Sequence, residues 1–146
     1  MKKTLRRISG VLALAFLAAA PAVRAQDALL VNIPFAFTAG QMTLPAGEYR
    51  IQKVGDNSPA LLIQRTDRSA AELVMSMAVD TNRKQPEQSK AVFHKYGERY
   101  FLAQIWTTGL QGRQLPESAK EKEQALVAHD QRPEQITIVA RLTPKP

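Results

Sequence analysis

Apolar and polar residues alternate along most of the chain between residues 29 and 107. The first such segment, 29–37, is apolar at every second position, which is the period of a strand with one buried face. Pro34 lies inside it and lacks a backbone N–H, so we expect this strand at a sheet edge or at a bulge. The same period predicts further strands at 42–44, 48–54, 60–64, 71–79, 91–96 and 99–107.

Turn-forming residues separate these strands. Pro45-Ala46-Gly47 is typical of a type II turn, and Gly97-Glu98 predicts a two-residue hairpin turn. The longest connection, 80–90, is polar. Closely spaced strands joined by short turns favour an antiparallel meander that forms a small barrel or sandwich.

The pattern changes after Trp106. A loop is expected over 107–114, and 117–128 is rich in Ala, Glu, Lys and Gln, which predicts a helix. The apolar residues of this part form a thin stripe that we expect to lie on the sheet: Leu115, Ala119, Ala125 and Leu126. Since 136–142 then predicts a last strand, the expected fold is mainly β, with one helix near the C-terminus before that strand.

The first 25 residues have the three parts of a secretory signal peptide. A cationic start, 1–7, precedes an apolar stretch, 8–20, and small residues at 23 and 25 predict cleavage between Ala25 and Gln26. An uncleaved membrane anchor is the alternative, but the apolar run is short and ends at Pro21. We therefore expect a single β-rich domain, 26–146, exported to the periplasm or secreted, with no transmembrane segment after cleavage.

Most of the excess positive charge lies in the predicted signal peptide, so the net charge says little about partners of the domain. The chain has a formal charge of +7, but five of its bases lie in the predicted signal peptide: Lys2, Lys3, Arg6, Arg7 and Arg24. The remainder has 15 bases against 13 acids, a net charge of +2. This small excess, in a compartment that holds little nucleic acid, argues against nucleic-acid binding even though bases and tyrosines are interleaved between Arg83 and Tyr100.

Four segments resemble known proteins: Val-Asn-Ile-Pro-Phe-Ala-Phe-Thr-Ala-Gly at 31–40, Leu-Pro-Ala-Gly-Glu-Tyr at 44–49, Val-Phe-His-Lys-Tyr-Gly-Glu-Arg-Tyr-Phe-Leu at 92–102 and Leu-Pro-Glu-Ser at 115–118. Together they resemble a group of small exported bacterial proteins of uncharacterised function. The resemblance covers most of the chain after residue 26 and implies a single exported domain. It carries no activity, cofactor or site residue with it.

Motifs for catalysis or metal binding are missing from the sequence. The chain has no cysteine, and its two histidines, His94 and His129, are 35 positions apart without a second histidine at ligand spacing. No nucleophile elbow or Ser-x-x-Lys pattern occurs either. We therefore expect no metal, no cofactor and no enzymatic activity. A small extracytoplasmic hydrolase that uses a pair of carboxylates remains the alternative, because such pairs cannot be found by spacing.

The aromatic hairpin is the best candidate for a binding surface. Strict alternation would put one set of residues of its second strand on a common face: Tyr100, Leu102, Gln104 and Trp106. The opposite face is also partly apolar, so the strand is either buried on both sides or leaves a groove. If a groove exists, His94, Tyr100 and Trp106 line it and Arg99 lies at its rim.

The sequence thus indicates an exported, non-catalytic β-domain that binds a partner protein, an envelope component or a small apolar ligand. A purely structural envelope protein is a further, weaker possibility. Identity of the ligand or partner does not follow from the residues.

Overall fold

The computed structural model describes residues 28–79, 87–129 and 132–143. The predicted signal peptide, and residues 80–86 of the predicted polar connection, lie outside the described residues. The strands are β1 (Ala28–Ile33), β2 (Phe37–Ala39), β3 (Met42–Leu44), β4 (Gly47–Lys53), β5 (Ala60–Arg65), β6 (Ala71–Met75), β7 (Met77–Ala78), β8 (Lys90–Tyr96), β9 (Arg99–Trp106), β10 (Arg113–Gln114), β11 (Glu134–Val139) and β12 (Arg141–Thr143), and the helix is α1 (Ala119–Val127).

These strands form two sheets around one core. The first sheet has five strands in the order β12-β1-β4-β5-β6, and the second has seven, with β11-β8-β9-β10-β7 as its main path. The pairings are antiparallel apart from the short parallel contact of β2 with β9. The sheets curl into a half-barrel. The predicted fold class, mainly β and antiparallel with one helix near the C-terminus, is confirmed.

Three segments predicted as single strands divide where the chain passes from one sheet to the other. The breaks lie at 34–36 between β1 and β2, at Ser76 between β6 and β7, and at Ala140 between β11 and β12. Both sheets bury their inner faces in the same core, so the alternation of buried and exposed positions continues through each corner and gives no sign of it. In β6 and β7 the regularly spaced apolar residues Leu73, Met75 and Met77 lie on the exposed face. The expectation of unbroken strands was wrong for this reason.

Backbone hydrogen bonds hold two of these corners. The Ser76 N–H donates to the Pro59 carbonyl over 2.9 Å, and the Ala140 N–H donates to the Ser89 carbonyl over 2.8 Å. Each bond satisfies a peptide group that has left one ladder before it enters the next. The two sheets are therefore joined at both edges, by β6 with β7 and by β11 with β12.

A β-bulge at Ala103 interrupts the alternation of β9. The register with β8 shifts at this point, so Ala103 has no direct partner. Leu102 and Ile105 both belong to the main core, although they are three residues apart. Because the extra residue reverses the side on which later residues point, Trp106 lies on the opposite face from Tyr100. The prediction that these two residues share a face was therefore wrong.

Five aromatic rings fill one end of the half-barrel. They are Phe35, Phe37, Tyr49, Phe93 and Tyr100, with neighbouring ring centroids 3.7–5.5 Å apart. Three of the four ring pairs are edge-to-face, a geometry in which the positive ring edge meets the negative face of its neighbour. The Tyr49 hydroxyl donates to the Pro45 carbonyl, so its polar group is satisfied inside the core. This end of the interior is closed by close packing.

Helix α1 contacts the outer face of the second sheet through a polar residue. Ser118 is its N-cap and accepts the Glu121 N–H over 3.1 Å, so the helix begins two residues later than predicted. Glu121 is the buried residue of the helix, whereas the side of the helix that carries Leu126 faces solvent, with Leu126 74% exposed. The expectation that the apolar stripe lies on the sheet was wrong for Ala119 and Leu126, which are exposed, whereas Leu115, which precedes the helix, is buried in the core.

Candidate functional site

The end of the half-barrel opposite the aromatic rings contains a cavity of about 380 Å³ between the two sheets. Its floor consists of buried apolar side chains from both sheets: Leu29, Ile51, Leu61 and Ile105. Its rim consists of polar residues and the loop after β9: Gln52, Lys53, Asp56, Thr107, Leu110, Gln111 and Arg113. We call this cavity the mouth pocket. Its volume lies within the range of small-molecule sites, roughly 300–1,000 Å³.

Two cations of the rim point inward, as the strand registers show. Lys53 pairs with the core residue Leu61 across β4 and β5, and Arg113 pairs with the core residue Ile105 across β10 and β9. Residues directly opposite each other in an antiparallel pair share a face. Lys53 and Arg113 therefore lie on the inner side of the sheets, where the apolar interior meets solvent.

Arg113 is fixed in position by the corner residue Ser76. Its Nε donates to the Ser76 hydroxyl over 2.9 Å, and its Nη2 donates to the Ser76 carbonyl over 3.3 Å. Ser76 is itself buried, and its hydroxyl donates to the Pro59 carbonyl over 2.7 Å. The corner between β6 and β7 thus holds the guanidinium in one orientation at the pocket rim.

A second cavity, the polar cavity, adjoins the mouth pocket. It has a volume of about 450 Å³ and is lined mainly by turn and corner residues: Lys53, Asp56, Asn57, Ser58, Pro59, Ser76, Met77, Ala78 and Arg113. Lys53, Asp56 and Arg113 line both cavities. The two cations therefore stand at the junction between an apolar space and a polar one.

The loop after β9 forms one side of the mouth pocket and is tied to the barrel edge. The Gln111 side-chain amide donates to the Val79 carbonyl over 3.1 Å, and the Val79 N–H donates to the Gly112 carbonyl over 2.9 Å. A Cβ on Gly112 would lie 2.6 Å from ring carbons of Trp106, so the indole packs directly on the glycine backbone. Leu110, at the tip of this loop, remains 56% exposed beside the cavity.

The four residues predicted from the aromatic hairpin do not form one groove. Tyr100 lies on the inner face and stacks on Phe35, with ring centroids 3.7 Å apart. Arg99 is exposed at the hairpin turn. Trp106 lies on the outer face and donates from its indole N–H to Gln104 over 3.0 Å. The bulge thus separates Trp106 from Tyr100, whereas His94 pairs with Phe101 across the hairpin and lies opposite Tyr100 irrespective of the bulge.

His94, the fourth predicted residue, belongs to a polar cluster beneath helix α1. Its Nδ1 donates to Glu121 Oε1 over 2.7 Å, and the Tyr96 hydroxyl donates to the same oxygen over 3.2 Å. The hydrogen bond to Glu121 raises the pKa of His94 above its ordinary value, although burial acts against this. Burial, together with the Glu121 charge, raises the pKa of Tyr96 to about 12. We call these residues the His94–Glu121–Tyr96 cluster.

The contacts within this cluster are of the kind that hold a helix on a sheet. One carboxylate oxygen of Glu121 accepts both hydrogen bonds, and the residue is buried against the sheet. Tyr96 packs edge-to-face on Phe101, which is also buried. The cluster therefore anchors the helix, and neither cavity includes its residues.

Sequence reasoning missed both cations of the mouth pocket. Lys53 follows Tyr49 and Ile51 at period two, so the alternation of β4 already placed it on the inner face. Arg113 gave no such signal, because β10 has only two residues and lay within a predicted loop. In the described part of the chain, no group of three or more histidines, cysteines or carboxylates is arranged to hold a metal ion.

Comparison with known proteins gives no further assignment: no family model, no curated protein and no solved structure matches the chain. Within the described ranges, no helix is long and apolar enough to cross a bilayer.

Proposed function

We propose that this protein is an exported, non-catalytic β-domain that binds a small, largely apolar ligand in the mouth pocket. The observation that carries the proposal is the apolar floor of that pocket, which four side chains from both sheets form at the open end of the half-barrel. Concave, mostly apolar cavities with a few polar groups at the rim are the usual form of small-molecule sites. Among the expected partners, a small ligand fits this shape better than a protein surface does.

The residues that line the two cavities do not favour the alternative of a carboxylate-dependent hydrolase. Such an enzyme needs two acidic side chains that flank the scissile bond. Asp56 is the acid that lines the mouth pocket and also the one that lines the polar cavity, within the residues that the structure describes. Glu121 is already engaged by His94 and Tyr96 outside both cavities.

Removing part of the pocket rim tests the proposal. A ten-carbon chain requires about 300 Å³, if each carbon occupies roughly the 30 Å³ of a water molecule, and so suits the pocket. We expect saturable binding of decanol by isothermal titration calorimetry and about a fivefold weaker affinity for Leu110→Ala, because the substitution removes about 1 kcal/mol of apolar contact.

Leu126→Ala is the matched control, since Leu126 is a similarly exposed leucine on the remote helix. Its affinity for decanol should equal that of the wild type. Equal loss of affinity in the two variants would show that the mouth pocket is not the binding site.

A further inference from the structure

We propose that the ligand carries an anionic group, carboxylate or phosphate, that Lys53 and Arg113 bind at the junction of the mouth pocket and the polar cavity. This inference rests on the proposed function and names the chemical class of its ligand. An apolar body would occupy the mouth pocket, while the acidic group would lie between the two cations. The protein would then select anionic amphiphiles over neutral ones of equal length.

The charge balance of the site supports an anion. Four ion pairs join described residues, and none of them includes Lys53 or Arg113. The Lys53 ammonium instead donates to the backbone carbonyl of Asp56 over 3.3 Å. Even when the Asp56 carboxylate is counted, the residues that line both cavities carry two positive charges against one negative charge. Both cations are half-exposed, and an anion bound between them would neutralise this excess of positive charge.

Arg113 has the donors and the fixed geometry that an anion site needs. A guanidinium has five N–H groups, and its contacts with Ser76 involve only Nε and Nη2. The remaining donors can form a paired contact with a carboxylate or phosphate, which is stronger than a contact between neutral groups. Because Ser76 already orients the side chain, little conformational entropy is lost when the anion binds.

The position of the cations determines the shape of the ligand. They stand at the end of the apolar floor and at the beginning of the polar cavity, which is lined by Asn57 and Ser58 among others. A wholly apolar molecule would bring no negative charge to the two cations, and a small inorganic anion would leave the apolar floor empty. A molecule with an apolar chain and one terminal acid satisfies both parts.

Calorimetric titration of the purified protein with decanoate, decyl phosphate and decanol tests the inference. We expect at least one of the two acids to bind about tenfold more tightly than decanol, and the better of them identifies the acidic group. Lys53→Met should reduce this preference several-fold while decanol affinity changes little, and Lys53→Arg should retain it. Lys120→Met, a substitution of an exposed lysine on the helix, is the matched control and should behave as the wild type.

The outcomes separate this inference from the proposed function. If decanol binds as tightly as both acids, the inference is overturned and the pocket remains an apolar site. A preference for acids that persists unchanged in Lys53→Met would overturn it as well. If none of the three compounds binds, the proposed function fails too. Circular dichroism spectra and urea midpoints establish that each variant is folded, and Lys53→Met is decisive because the Lys53 ammonium donates to Asp56, whereas Arg113 also holds the corner residue Ser76.

Discussion

Replacement of Phe93 with alanine is expected to lower the free energy of unfolding by about 3–5 kcal/mol. Phe93 is fully buried, and its ring packs edge-to-face on both Phe35 and Phe37. Alanine would leave a cavity among rings that hold strands of both sheets, and the surrounding strands can close it only in part. A domain with typical stability of about 5–15 kcal/mol would lose a large part of it.

Urea denaturation followed by circular dichroism measures this effect as a lower midpoint at an unchanged slope. Leu73→Ala is the control, because Leu73 is a large apolar residue on the outer face of the first sheet and is 57% exposed. The free energy of unfolding of Leu73→Ala should fall by no more than about 0.5 kcal/mol. Equal losses in the two variants would mean that the aromatic end does not form the packed core described above.

The second large effect concerns the His94–Glu121–Tyr96 cluster beneath the helix. His94→Ala is expected to cost about 2–3 kcal/mol at mildly acidic pH, because it leaves the buried Glu121 carboxylate with Tyr96 as its remaining side-chain partner. This value lies somewhat below the cost of breaking a fully buried ion pair, since the His94 side chain is partly accessible to solvent.

The cost of losing His94 should depend on pH. Its pKa is raised above the ordinary value of 6.5, so the folded protein binds the proton more tightly than the unfolded chain does. The stabilisation is therefore complete below pH 6.5 and declines as the pH rises through the raised pKa. Glu117 is a second carboxylate whose charge contributes in the same direction.

Urea midpoints of the wild type and of His94→Ala, measured from about pH 5.5 to about pH 9, test this account. The difference between the two proteins should shrink as the pH rises, and the same titration with Glu121→Gln should show no comparable dependence. A difference that stays constant with pH would contradict an ionic contact between His94 and Glu121.

Much of the fold could be predicted from the sequence because exposed and buried positions alternate on each strand. The hairpin of β8 and β9 across Gly97 and Glu98 has the predicted two-residue loop, and Gly97 has the positive φ, 60°, that such a turn requires. The corners at Ser76 and Ala140 could not be predicted, because a strand that bends between sheets keeps its inner face toward the same core. The alternation indicates which positions of a strand are buried, but it does not indicate which strand pairs with which.

The candidate site was less predictable than the fold for a related reason. The mouth pocket collects residues from five strands and two loops, and only Lys53 had a local signal, its place on the inner face of β4. The hairpin residues looked promising because they are aromatic and closely spaced, yet the bulge at Ala103 places Trp106 on the opposite face from Tyr100. A bulge depends on the register between two neighbouring strands, and the sequence of one strand alone does not determine that register.

The open end of the half-barrel is the proposed ligand-binding site. Amide chemical shifts, recorded in two-dimensional NMR spectra while decanoate is added, locate the binding site directly. We expect the largest changes at 51–53 and 105–113, around the mouth pocket, and little change at the hairpin turn 96–99 or in the helix, 119–127. Largest changes at the hairpin and the helix would contradict this proposal and assign binding to the His94–Glu121–Tyr96 side of the molecule.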